Sequence, residues 1–292
     1  MIKLENWEVV GWGPAIRGMR NPMNSWEKSD SHYCTDRLTC EGCLGRSGID
    51  GCLLSGINPL IIGPNDLALM MKLRNAGTDH RKFMRMLVVY VDITAPLYWW
   101  KEFDTYKVGT VANSCSTMHK IHAKEFTMED FSIERLEPLA YGVMQSVVEI
   151  LEYYRKAYNA ARHRDPESPY NKDDVTACFH NMIQLLPTSY NQKRTVMLNY
   201  EVLANIYKSR KNHKLDEWRE LSKWIEGLPY SEIITGHKDG TPVESPVSYK
   251  YSVSIKGQAI PGFVTAGENA TDDEIRRAIL DTICDGVTYE RN

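Results

Sequence analysis

LPTSYNQKRTVMLNYEVLANIYKSRKNHKLDEW, running from Leu186 to Trp218, decides how this 292-residue chain is read. A Leu-Pro step leads into it. Thr195 to Ser209 and Leu215 to Glu226 read as two helices, and Asn212-His213 marks the break between them. Asn199 and Arg210 are eleven residues apart, about three turns at the helical period, so they share a face. Asn205 lies between them. Asparagine is disfavoured inside helices, so two in one helix ask for a reason. That reason is either hydrogen bonding to a ligand or polar packing at a subunit interface. Arg210 sits in the basic run KSRKNHK, where a solvated arginine is the plain alternative to a ligand contact. The shared register of both asparagines with the arginine favours a ligand contact.

Upstream, TAPLYWWKEFDTYKVGTVANSCSTMH (Thr94 to His119) is the second dense stretch. MLVVYVDIT before it is β-branched and apolar, as a buried strand is, and Pro96 breaks it. Tyr98 to Phe103 reads as a helical turn. Its aromatic residues, with Tyr106, form either a stacking wall for a base or, more commonly, core packing. Cys115 has no evident activating base, so a buried small thiol is its default reading. His119 and His122 have a metal-compatible spacing but no third ligand at a telling distance.

Gly63-Pro64-Asn65-Asp66 is a good helix start, with Asn or Asp as cap, and Gly77 closes that helix. Thr127-Met-Glu-Asp130 resembles a capping box. From Leu139 to about Ala161, apolar residues recur with amphipathic helical spacing. Arg17 and Arg20 flank Gly18, where solvated loop arginines compete with phosphate contacts. Beyond Pro229 the composition changes: HKDGTPVESPVS is linker-like, and a ββα pattern follows. Two units are expected. The first is 1–235, carrying a cysteine-containing insertion at 27–57; the second is a small module at 245–292.

Lys and Arg total 35 against 38 Asp and Glu, so composition forces no polyanion-binding surface. No nucleic acid polymer is expected as partner. No transmembrane run or signal-peptide pattern is present, so a cytoplasmic protein is expected. Cys34, Cys40, Cys43 and Cys52 cluster in a Gly-rich, polar stretch too poor in apolar residues to order itself by burial. A zinc ion or iron–sulfur cluster would supply the missing stabilisation. Free cysteines in a flexible insertion are the competing reading.

The two dense stretches together resemble the flavin-dependent thymidylate synthases over roughly residues 60 to 230. That family places Leu-Pro before N-x-R, N and R; here Leu186-Pro187 precedes Asn199, Asn205 and Arg210, with Glu201 in the arginine slot of N-x-R. An Ala-Pro anchor at Ala95-Pro96 puts Thr105-Tyr106-Lys107 in the Arg-His-Arg slot. Thr110, Asn113 and Ser116 fall in the following Ser, Asn and Ser slots, and Met118 replaces the closing arginine. His80 matches a substrate-domain histidine, Glu102 replaces a glutamine, and Ile183 replaces a phosphate-binding arginine.

The resemblance implies an α+β fold, a mixed or antiparallel sheet flanked by long helices, with the ββα module appended. It implies a homotetramer with shared sites. It also implies methylation of deoxyuridine monophosphate, using FAD, NADPH and methylenetetrahydrofolate. On it, Arg210 is the catalytic residue and touches the pyrimidine. His80, Lys107, Thr110, Asn199 and Asn205 would hold the cofactor. Glu102, Asn113 and Ser116 would join Arg210 on the substrate. The lost arginines weaken the grip on phosphates, since lysine offers a point charge and no bidentate fork. Two expectations therefore stand: a divergent pyrimidine nucleotide methyl- or hydroxymethyltransferase, and a non-redox nucleotide-binding protein on the same scaffold.

Overall fold

A computed structural model describes residues 2–33, 60–163, 174–236, 247–255, 258–266 and 288–291. They form two compact units, Met1–Gly236 and His237–Asn292.

The first unit is built on a four-stranded antiparallel sheet in the order β1-β4-β6-β5. These strands are β1 (Lys3–Val10), β4 (Val88–Pro96), β5 (Val111–Ser114) and β6 (Asn191–Asn199). β4 is the strand expected from MLVVYVDIT, and it pairs with β6 from Val88↔Asn199 to Pro96↔Asn191. β6 corrects the sequence reading, which placed a helix from Thr195. The chain runs extended to Asn199 and only then enters α6 (Tyr200–Arg210). Val196 and Leu198 alternate into the core at period two. Asn199 is thus not inside a helix: it is the extended N-cap, and its Oδ1 accepts from the Val202 N–H at 3.0 Å.

Helices α1 (Trp12–Arg20), α2 (Pro64–Asn75), α3 (Leu97–Phe103), α7 (Asp216–Glu226) and α8 (Glu232–Thr235) complete this layer with α6. Trp99, Trp100, Tyr200 and Trp218 are fully buried there. Each such side chain removes roughly 150–250 Å² from water, worth several kcal/mol at about 25 cal/mol per Å². The aromatic run of α3 is therefore core, apart from half-buried Tyr98. A second cluster lies between α4 (Pro138–His163) and α5 (Asp174–Leu185), around Leu151 and Met182. α5 was not foreseen. Thr127 and Asp130 do form the capping box.

The Arg20 reading also changes. Arg20 is buried, and its Nε meets Asp66 Oδ1 at 2.6 Å. It is neither solvated nor a phosphate contact. Asp66 does not cap α2; Asp30 does, its carboxylate accepting from the N–H groups of Asn65 (2.9 Å) and Asp66 (3.1 Å). Gly63 leaves room for that carboxylate, since a Cβ there would sit 2.2 Å from Asp30 Cγ. β2 (His32–Tyr33) and β3 (Leu60–Ile61) pair nearby. Residues 27–33, expected within the insertion, are part of this network.

In the second unit β7 (Val247–Ile255) pairs antiparallel with β8 (Gln258–Ala266) and also with β9 (Thr288–Arg291). β9 was not foreseen, and the helix expected at 272–283 lies outside the described residues. So do Cys34, Cys40, Cys43 and Cys52. No described helix is long and apolar enough to cross a membrane.

Candidate functional site

α6 is pinned at its start by the Asn199 cap and along its length by buried Leu203 and Ile206. Arg210 lies one turn beyond Ile206, so its side chain lies against α3 and α7. Arg210 Nη1 donates to Glu102 Oε2 at 2.9 Å, and Nε donates to the Tyr106 hydroxyl at 3.1 Å. The guanidinium carbon lies 4.9 Å over the Trp218 ring, a cation–π distance. Trp218 Nε1 donates to the same Glu102 oxygen at 2.9 Å, and His213 Nε2 stands 3.6 Å from it.

The Glu102–Arg210 pair is partly exposed, so it adds only about 0–1 kcal/mol to stability. Its effect is to orient two groups. Arg210 Nη2 and Glu102 Oε1 make no hydrogen bond with a described residue. Together they offer a donor and an acceptor, the complement of a pyrimidine amide or amidine edge.

A second group forms where the turn after α3 meets the α6 cap. Gly109 has φ +79, and a Cβ there would lie 2.8 Å from Asn199 Nδ2. Only glycine takes that φ without strain at this approach. Asn199 Nδ2 donates to no described residue, and the next residue, Thr110, has a buried Oγ1 with no described partner. Gly109→Ala is expected to cost about 1–3 kcal/mol through backbone strain and a displaced cap. Thermal unfolding against the wild type checks this; an unchanged midpoint would contradict it.

Glu201 is buried at the first turn of α6 and bonds Arg81 Nε at 3.1 Å and Arg85 Nε. Burial alone would raise its pKa, but the hydrogen bonds from Arg85 and Arg81 bring it below the usual carboxylate range. Arg81 Nη2 also donates to Asn205 Oδ1 at 3.3 Å. The acidic residue in the expected arginine slot is therefore answered by two arginines from the turn Arg81–Arg85, which sequence reasoning missed. His80 precedes that turn and is exposed.

The other expected residues stand apart. Lys107 is exposed. Asn113 is exposed on β5, opposite Thr195. Ser116 Oγ accepts from the His119 N–H at 2.9 Å, a local turn contact. Ile183 packs against the α4–α5 cluster. Cys115, one residue past the edge strand β5, is exposed, contrary to the buried-thiol reading. Among the described residues no three His, Cys, Asp or Glu side chains are grouped to hold a metal.

No protein-family model matches the chain, and no curated protein matches it in sequence. Solved structures do match. Thymidylate synthase X from Helicobacter pylori, solved with FAD and dUMP, aligns at TM-score 0.51 and 16% identity, over 80% of this chain and 97% of that one. A second structure of the flavin-dependent thymidylate synthase from Helicobacter pylori, also with FAD and dUMP, aligns at 0.49 and 15%, over 80% and 97%. A UMP/dUMP methylase from Streptomyces cacaoi, bound with 5-bromo-dUMP, aligns at 0.44 and 10%, over 80% and 94%. The first of these carries the fold: the α+β architecture is shared.

Proposed function

We propose that this chain is a divergent flavin-dependent pyrimidine nucleotide methyl- or hydroxymethyltransferase. The observation that supports this most is the Arg210 cluster, held by Glu102, Tyr106 and Trp218 on a fold shared with a thymidylate synthase that binds FAD and dUMP. Arg210 Nη2 would donate to a ring carbonyl of a uracil or to the ring N3 of a cytosine. Glu102 Oε1 would accept from the ring N–H of a uracil or the amino group of a cytosine. On this reading substrate choice rests on one carboxylate, where the resembled family has an amide.

The residues present fit a flavin's ring better than its phosphates. Asn199 Nδ2 and Thr110 Oγ1 are polar atoms in want of partners, while Lys107, the cation left in the resembled family's Arg-His-Arg slot, is exposed. Bound in reduced form, FAD would supply the hydride and a methylenetetrahydrofolate co-substrate the carbon, with NADPH as reductant. Incubation of the protein with dUMP or dCMP, FAD, NADPH and methylenetetrahydrofolate should yield a nucleotide heavier by a methyl or hydroxymethyl group. No mass change with either nucleotide would reject the transferase.

The Glu201 network favours a second reading, nucleotide binding without redox chemistry. A buried carboxylate occupies the slot of an arginine in the resembled family, and it pairs with Arg81 and Arg85. In that case dUMP binds and no flavin does.

Self-association fits the surface of α4. Leu139, Val143 and Ile150 are 84%, 60% and 45% exposed along one stripe of this 26-residue helix, opposite the face that packs on α5. We assign the stripe to a second copy of this chain. Light scattering should give a multiple of the single-chain mass, and Val143→Glu with Ile150→Glu should reduce it to one chain. A wild-type monomer would contradict this.

A further inference from the structure

Three N–H groups converge on one oxygen of Glu102. Arg210 Nη1 and Trp218 Nε1 each donate to Oε2 at 2.9 Å. His213 brings the third, its Nε2 standing 3.6 Å from the same oxygen. The His213 tautomer is set from the other side of the ring. Nδ1 accepts from the Leu215 N–H at 3.3 Å, so the neutral ring carries its proton on Nε2, facing Glu102. The turn that carries His213 is itself tied down: Arg219 Nη1 donates to the His213 carbonyl at 2.7 Å and to the Lys214 carbonyl at 3.1 Å.

This convergence fixes what Glu102 shows to a ligand. Oε2 is taken, and Oε1 makes no hydrogen bond with a described residue. A carboxylate oxygen only accepts. A glutamine at this position, the residue of the resembled family, would have to turn its amide oxygen to the same N–H groups and its NH2 outward. Carboxylate in place of amide thus turns an outward donor into an outward acceptor. The two pyrimidine edges answer that acceptor differently. Cytosine has its amino donor at one end of the edge and its two acceptors, ring N3 and the 2-carbonyl, together beyond it. Oε1 takes the amino group, a pairing glutamate makes with cytosine elsewhere, and Arg210 takes the acceptors. Uracil has one ring N–H between two carbonyls. With that N–H on Oε1 and one carbonyl on Arg210, the other carbonyl is left against the carboxylate, oxygen to oxygen.

We propose that the substrate is a cytosine nucleotide, and that Glu102 selects it over the uracil nucleotide. This rests on the reading of the Arg210 cluster as a pyrimidine nucleotide site. Arg210 both orients Glu102 and meets the base; Trp218 and His213 act through Glu102, as positioning residues.

The test is calorimetric titration with dCMP and dUMP. The wild type binds dCMP about 10-fold tighter than dUMP, the low end of what one well-made base contact discriminates. The deoxynucleotide of pyrimidin-2-one keeps both acceptors and lacks the amino group; it binds about 10-fold more weakly than dCMP for the same reason. Glu102→Gln abolishes the preference, with thermal unfolding run in parallel to show that the variant is folded. Equal affinity for the two nucleotides in the wild type, or tighter binding of dUMP, would overturn the proposal and leave the pyrimidine site standing. So would an unchanged preference in folded Glu102→Gln. Binding of neither nucleotide would remove the site itself, and the proposal with it.

Discussion

Asp66→Ala lowers the unfolding free energy by about 3–5 kcal/mol, because it strands the buried Arg20 charge. Arg20 is 4% exposed and Asp66 not at all. One Asp66 oxygen takes the Arg20 Nε; the other accepts from the Ser29 hydroxyl at 2.7 Å and the Ser31 hydroxyl at 2.6 Å. Arg20 Nη1 and Nη2 donate to the carbonyls of Ser25 and Lys28 at 3.1 and 3.0 Å. The loop from Ser25 to Ser31 has little apolar anchorage, so this ion pair orders it against α2. Removing the carboxylate leaves a guanidinium with two carbonyls, the Ser25 hydroxyl and no counter-charge.

A pH signature accompanies this loss. Burial pushes the Asp66 pKa up, but hydrogen bonds from Ser31, Ser29 and Arg20, with the Arg20 charge, hold it below its ordinary value. A depressed carboxylate stabilises the fold fully above the unfolded pKa, near 3.9, and that stability is lost as pH falls through the folded value. Asp66→Asn should remove this part of the acid dependence. Urea unfolding followed by circular dichroism at pH 7 and at acid pH measures both effects. A loss under about 1 kcal/mol in Asp66→Ala would contradict the account.

Arg210→Ala should weaken dUMP binding about 100-fold while leaving the melting temperature within the small shift expected of a partly exposed ion pair. Arg210→Lys should not restore binding, since lysine cannot hold Glu102 and Tyr106 and still present a further donor. Glu102→Gln separates orientation from recognition. It keeps an acceptor for Trp218 and Arg210 but adds a donor, so it should shift preference between uracil and cytosine nucleotides. Calorimetric titration of both nucleotides reads this directly. Equal affinity for dUMP in the wild type and Arg210→Ala would remove Arg210 from the site.

What the sequence revealed depended on distance along the chain. β4, α4, α7 and the Thr127–Asp130 capping box were legible, because periodicity and cap residues are local signals. β6 was misread, because its apolar residues run straight into those of α6 and a short apolar run does not declare its period. Asn199 itself was the missing signal: asparagine is a strong helix N-cap and marks the strand's end.

The pairings that reshape the site could not be read. Glu201 finds Arg81 and Arg85 across 120 and 116 residues, and Arg20 finds Asp66 across 46. No local pattern specifies such partners. Arg210 does end α6, but the helical register expected between it and Asn199 does not hold, because Asn199 is the extended N-cap; nor was it legible that Glu102 would hold Arg210.

An absorbance spectrum of the purified protein, with mass spectrometry of what heat releases, tests the central claim most directly. The account predicts flavin bands and released FAD, or their appearance once FAD is added in excess. A colourless protein that takes up no FAD would contradict the flavin-dependent transferase.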